Sequence, residues 1–323
     1  MSTIMLSHAL YRDGMQLLEQ NADVIVADTS DFRKVLSDLE KCDGLIIRVG
    51  RMDRDLMEQC PKLRVISRPG VGVDNVDIKA ATERGIPVVI APGTNARSVA
   101  EHAIALTYAI TKNVVESNAQ TAKGNFDIRN KYMAIELEHH KVGVIGFGNI
   151  GRIAAGLFFR NDMEVHIFDP YVNRETVEKY GYIYHEQLED CLAVCNVLSL
   201  HMPSTPETRG MLGPKQFDAM KDGCFLVNCA RGDIVDEDAL YQALNSGKVV
   251  GAAVDVMGSE PMDPANKLFA CPNFIATPHM AALTQESSAR TSYLTAQGTL
   301  AVLRGEKWDK VANPEAYRHS RWQ

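Results

Sequence analysis

The 323-residue sequence predicts an α/β protein built from two doubly wound parallel-sheet domains. Three observations predict it. Short β-branched runs alternate with segments of helical spacing, the alternation comes in two series, and the length suits two cores at roughly 150 residues each. The first series contains DVIVAD at 23–28, GLIIRV at 44–49, RVIS at 64–67 and IPVVIA at 86–91, with helical spacing in Asp31–Leu39 and Asn75–Gly85. From Ser98 to about Lys123 the residues Val99, Ile104, Leu106, Ile110 and Val114 fall near helical spacing without proline until Gly124, which predicts one long connecting helix. The second series runs VGVIG from Val142, VHIFD at 165–169, NVLSLH at 196–201, CFLVNC at 224–229, AAVDV at 252–256 and FIATPH at 274–279. Six strands are therefore expected, as in a sheet made of two mononucleotide-binding halves. Thr284 to about Leu303 reads as a closing helix, and Gly305–Gln323, carrying Pro314, as an ordered strap or a frayed end.

Composition narrows the function classes. With 46% hydrophobic and 23% charged residues the chain is ordinary globular protein, neither disordered nor collagenous. A net charge of −7 and the absence of any Lys/Arg run longer than a pair argue against nucleic acid as a partner. The seven cysteines are odd in number and form no C-x-x-C pair, so no disulfide framework and no metal site are expected, and a reducing compartment fits. Met1–Arg12 lacks the pattern of a secretory signal and no apolar stretch approaches about 18 residues, so a cytoplasmic location without membrane association is expected.

The sharpest local signal is the G-x-G-x-x-G of Gly146, Gly148 and Gly151, which follows an apolar strand and opens an amphipathic helix. Gly146 permits the tight turn, Gly148 lets backbone approach a pyrophosphate, and Gly151 allows helix to pack closely on strand. The N–H groups of Asn149 and Ile150, at the positive end of the helix dipole, favour phosphate charge by about 0.3–1 kcal/mol each. Asp169, eighteen residues beyond Gly151 at the end of the next strand, is placed to accept hydrogen bonds from a ribose diol. It would face a 2′-phosphate at a cost of up to about 4 kcal/mol, so NAD is favoured over NADP. Arg174 is the one nearby cation able to weaken that discrimination.

Three further segments end predicted strands, where open α/β sheets place their sites: Asn228–Asp233 with Arg231, Asp255–Pro261 with Glu260, and Thr277–Ala282 with His279. Together they offer a guanidinium, a carboxylate and an imidazole. At these residues the chain resembles the D-isomer-specific 2-hydroxyacid dehydrogenase family, and within it the 3-phosphoglycerate dehydrogenases that lack a C-terminal regulatory domain. The match extends to Arg68–Asn75, Pro92–Asn95, Ser98–His102, His201–Pro203 and Thr205–Thr208. The resemblance implies a Rossmann nucleotide-binding domain at 97–285 inserted into a flavodoxin-like substrate domain formed by 1–96 and 286–323. It implies that His279 is the acid–base, Glu260 its partner and Arg231 the anchor for the substrate carboxylate. A carboxylate bonded to an imidazole favours the imidazolium, so a proton stays available near neutral pH. By the same resemblance, NAD meets His201, Met202, Pro203, Thr208, Cys229, Ala230, Arg231, Asp255, His279 and Ala281, Asp255 holding the nicotinamide carboxamide.

The expected substrate is a small 2-hydroxy or 2-keto acid. Relatives acting on formate carry a glutamine where Glu260 stands, which favours a hydroxy acid here, while phosphite-oxidising relatives keep a similar pair. Arg48, Arg68 and Arg129 resemble positions that hold a second anion, Arg129 reaching from a partner subunit, and Asn95 with the backbone of Val71–Gly72 completes the carboxylate pocket. A homodimer through roughly Ser98–Glu138, hinges near Asn95–Arg97 and Ala282–Glu286, and no regulation through a further domain are the remaining expectations. Three departures stand out: Val71 between two glycines where relatives have a hydroxyl residue, His139-His140 in place of a glycine, and Met257 in place of an aromatic residue. The competing reading is an NADH-sensing binding protein of the corepressor kind on the same fold, in which turnover is irrelevant.

Overall fold

The structure is a computed structural model that describes residues 1–323. It divides into two compact units, 1–95 with 283–323 and 96–282.

The first unit is a five-stranded parallel sheet of β1 (Thr3–Leu6), β2 (Asp23–Val26), β3 (Gly44–Ile46), β4 (Val65–Ser67) and β5 (Val88–Val89), in the order β2-β1-β3-β4-β5. This is the flavodoxin-like order. The sequence reading missed β1, whose TIML stands next to the centre of the sheet and pairs with both β2 and β3. A strand buried on both faces shows no alternation, and four apolar residues carry too little period to be seen. The helix Gln285–Leu303 starts from Thr284, whose side chain accepts from the Ser287 N–H. It crosses the helix Arg12–Glu19 at Gly14, where a Cβ would lie 2.5 Å from the Ser292 carbonyl oxygen.

The tail is an ordered strap. Ala312 N donates to Val88 O at 2.8 Å, Val311 bridges Val89 antiparallel, and Asn313 accepts from Val88 N at 2.7 Å while donating to Ile86 O at 3.0 Å. It thereby satisfies main-chain groups at the β5 edge of the sheet.

The second unit is a parallel sheet of β6 (Lys141–Ile145), β7 (Glu164–Phe168), β8 (Ile183–His185), β9 (Val197–Leu200), β10 (Cys224–Asn228), β11 (Val249–Val254) and β12 (Phe274–Ala276), in the order β12-β11-β10-β9-β6-β7-β8. Seven strands replace the six expected. The addition, β8, is a short edge strand whose Ile183 is exposed and whose other two residues are Tyr and His, so it has no apolar run to announce it. Interior strands bury both faces. Leu226 of β10 joins one core with Leu198 and Leu200, while Phe225 and Val227 join the other with Val142 and Val144.

The single connecting helix is also corrected. Two helices, Ala96–Thr111 and Val114–Ala122, meet at Asn113, which takes the left-handed conformation (φ 52°). Asparagine tolerates that region better than most residues, so hydrophobic spacing runs through a break it does not record.

Candidate active site

The order of the second sheet lines up one edge. Along the carboxyl ends of β12, β11, β10, β9, β6 and β7 stand, in turn, His279, Asp255, Arg231, His201, the glycine loop and Asp169. The chain leaves β6 toward β7 on one side and returns as β9 on the other, so the glycine loop lies at the topological switch point, where such sheets bind their ligands.

The three glycines differ physically. Gly146 has φ 95°, and a Cβ there would meet the His201 main chain at 2.9 Å. Gly151 has no room for a side chain: its Cβ would lie within 2.9 Å of the Gly146 carbonyl carbon and closer still to its oxygen. Gly148 has no atom within 4 Å of a built Cβ, leaving space that a phosphate can occupy. Asn149 and Ile150 begin the helix Asn149–Phe159 directly after it. Asp169 accepts Phe147 N at 2.7 Å and Tyr171 N at 2.8 Å, which aims its carboxylate back at the loop. Arg174 is engaged elsewhere, 3.5 Å from Glu178 and 5.2 Å over the Tyr184 ring. An open approach at Gly148, helix N–H groups beyond it and a ribose-level acid together fit a dinucleotide.

At the end of β9, His201 N donates to Ile145 O, and its Nε2 lies 2.8 Å from Ser199 Oγ. Its Nδ1 is buried without a partner, and burial pushes the ring down to about 4, so it is neutral in the folded protein. Below pH 6.5 the unfolded chain takes up a proton here that the native ring refuses, so acid favours unfolding until the native ring also titrates near 4. Denaturant titrations should therefore show stability falling from pH 6.5 to 4 more steeply in wild type than in His201→Gln; identical slopes would remove His201 as the source. Downstream, Thr208 Oγ1 donates to Pro203 O at 2.7 Å and accepts Thr205 N at 2.8 Å, closing the loop that carries Met202 and Pro203.

Arg231 is presented by a turn pinned through Asn228. That buried amide donates to Arg231 O and accepts Ala230 N, both at 2.9 Å. Gly232 follows because the Met257 carbonyl group stands where its Cβ would be. Met257 is buried. Cys229 is buried too, which pushes its thiol up and keeps it unreactive.

His279 Nδ1 lies 2.8 Å from Glu260 Oε2, with both side chains about half exposed. The loop bearing Glu260 is anchored by Glu237, which accepts Gly258 N at 2.7 Å and Asn266 Nδ2 at 2.6 Å. Asp255 is 1% exposed and accepts from Thr277, Met280 and Ala281 of the His279 turn. The sequence points to Arg231, Glu260 and His279 and includes Asn228 and Thr277 at the heads of two of these segments, but gives those two no supporting role and does not single out Glu237 at all.

In the first unit, Arg68 donates to Gly72 O at 2.7 Å, Ile47 O at 2.8 Å and Arg48 O at 2.6 Å, binding the loops after β3 and β4 to each other. Arg48 and Val71 are exposed, while Gly72 and Asn95 are half-buried. In the second unit, Arg129 is exposed in the turn Phe126–Asn130, 4.5 Å over the Phe126 ring. His139 holds φ 60°, in the left-handed region that favours glycine.

This sheet, its glycine loop at the switch point and an imidazole–carboxylate pair on the same edge define a Rossmann-type dinucleotide-binding protein equipped for proton transfer. Residues 104–281 match the family model described as D-isomer specific 2-hydroxyacid dehydrogenase, NAD binding domain. The chain belongs to that family, and its cofactor is NAD. It is 37% identical over 97% of its length to a D-3-phosphoglycerate dehydrogenase of Methanocaldococcus jannaschii, of which it covers 60%. It is 36% identical over 94% of its length to one of Archaeoglobus fulgidus, of which it covers 57%. The chain thus spans little more than half the length of these relatives. Among solved structures, the apo D-lactate dehydrogenase of Escherichia coli is similar at 28% identity and a TM-score of 0.85, with 97% of this chain and 100% of that one covered. No helix is long and apolar enough to cross a membrane.

Proposed function

We propose that the protein is an NAD-dependent D-2-hydroxyacid dehydrogenase, interconverting a small D-2-hydroxy acid that carries a second anion, of the 3-phosphoglycerate or sulfolactate kind, with its 2-keto acid. The contact between His279 Nδ1 and Glu260 Oε2, on the sheet edge that carries the nucleotide loop, supports this most strongly. A protonated Nδ1 donates to the carboxylate, which leaves Nε2 as the atom that gives or takes the substrate proton. Glu260 stabilises the imidazolium before the proton leaves. NAD, when bound, supplies the hydride acceptor or donor. Arg231 holds the α-carboxylate in a forked contact and polarises the carbonyl. Gly146, Gly148, Gly151 and Asp169 seat the nucleotide, with His201–Pro203, Thr208, Cys229, Ala230, Asp255 and Ala281 lining its remainder. Arg48, Arg68, the Val71–Gly72 backbone and Asn95 are the proposed substrate contacts of the first unit, and Arg129 that of a partner subunit.

A homodimer is part of this reading. It is supported by the exposed apolar side chains Val114, Val115, Phe126 and Met133 in the arm after the first connecting helix. Seven free, buried thiols suit a reducing cytoplasm.

The test is a panel of 2-keto acids with NADH, followed at 340 nm: phosphohydroxypyruvate, sulfopyruvate, hydroxypyruvate, glyoxylate and pyruvate. NADH should be oxidised, fastest with the two doubly anionic acids. Pyruvate outpacing both would remove the second anion from the proposal, and no turnover with any acid would remove the dehydrogenase assignment.

A further inference from the structure

Asp255 stands at the end of β11, buried beneath the turn 277–281. Its Oδ1 accepts the Thr277 hydroxyl at 2.5 Å and Met280 N at 2.9 Å, and its Oδ2 accepts Ala281 N at 2.9 Å. Its main-chain carbonyl accepts His279 N at 2.9 Å. The turn that presents the acid–base is therefore wound around a single residue. His279 itself holds φ 50°, in the left-handed region that few side-chain-bearing residues adopt.

The protons in this cluster assign themselves. A carboxylate only accepts, so the one hydroxyl proton of Thr277 goes to Asp255. The ring Nε2 of His102 lies 3.0 Å from Thr277 Oγ1 and 3.6 Å from Asp255 Oδ1. With the hydroxyl proton already committed, Nε2–H is the donor in that contact. His102 comes from the helix Ala96–Thr111, within the Ser98–His102 segment to which neither the nucleotide site nor the acid–base pair assigns a role.

We propose that His102 is a positioning residue for His279. By donating to Thr277 it fixes the hydroxyl on Asp255, and so holds the left-handed turn in the geometry that keeps His279 Nδ1 on Glu260. The proposal rests on the dehydrogenase reading above and adds to it a residue outside the nucleotide, substrate and acid–base positions named there.

The experiment compares His102→Leu, which removes the donor, with His102→Gln, whose side-chain Nε2–H reaches a similar place. In the full chain, the leucine variant should lose at least about tenfold in kcat, with KM and the NADH dissociation constant within about threefold of wild type. The glutamine variant should keep kcat within about threefold. Crystal structures should show the His279–Glu260 contact retained in the glutamine variant and opened beyond about 3.5 Å in the leucine variant. Wild-type kcat in the leucine variant, or equal losses in both, would overturn the proposal. Should the leucine variant not fold, Thr277→Ser against Thr277→Val asks the same question: serine should retain kcat and valine lose it, and equal values would overturn it. If wild type turns over no acid, the dehydrogenase reading fails by itself, and the crystal structures still decide the positioning role: the contact intact in His102→Leu refutes it.

Discussion

His279→Ala should lower kcat by about a thousandfold with the best keto acid of the panel, while NADH binds within about threefold of wild type. General acid–base transfer contributes roughly 10²–10⁴-fold, and the alanine variant leaves only water to supply the proton. Binding should survive because the proposed pyrophosphate and ribose contacts, Gly146, Gly148 and Asp169, belong to β6, β7 and the turns after them, away from the His279 turn in the sheet order, and the alanine keeps the main chain on which Asp255 and Ala281 are held. Glu260→Gln is the graded companion. Its amide oxygen can still accept Nδ1–H but carries no charge, so the ring stays oriented while the imidazolium loses its counter-ion. With both side chains about half exposed, solvent screens the pair, and a loss of about tenfold is expected, well short of that for the alanine variant. Stopped-flow turnover and fluorescence titration of NADH separate the two effects. Activity unchanged in His279→Ala would leave the site without its acid–base.

The second large effect is a contrast between two glycines three residues apart. Gly151→Ala should destabilise the second unit by about 2–3 kcal/mol and abolish measurable NADH binding. Its Cβ would overlap the Gly146 main chain, and neither strand nor helix can retreat without breaking the loop. Gly148→Ala should leave the melting temperature within about 2 °C and still weaken NADH at least about tenfold. Its φ of −78° suits any residue and its Cβ enters open space. Calorimetry against NADH titration distinguishes them. NADH affinity unchanged in Gly148→Ala would mean that the space at Gly148 is not a ligand's.

Much of this was legible beforehand because the rules involved are local. A glycine triplet between an apolar run and a helix, an acid eighteen residues later, and charged side chains just past strand ends are patterns a few residues long. They survived into the structure at Gly146–Gly151, Asp169, Arg231, Glu260 and His279. What failed was equally local in cause. β1 and β8 were too short or too polar to show a period, and Asn113 broke a helix whose apolar spacing continued across the break. Arg68 adds something the sequence does not record: beside its proposed place among the substrate contacts, its guanidinium binds three main-chain carbonyls of its own unit. Nothing in a sequence says which acceptors a long side chain will find.

Taken alone, the sequence determined that there are two parallel sheets and that one of them belongs to an NAD-binding domain, and it put forward an acid for the ribose and three side chains for the chemistry. The tertiary structure decided the order of the strands, the tail's role as a strap on β5, and the cluster beneath His279. The physical reason is range. Period, turn propensity and helix capping act between neighbours in the chain, whereas the hydrogen bond between His102 and Thr277 spans 175 residues and exists only because packing brings a helix against a strand end.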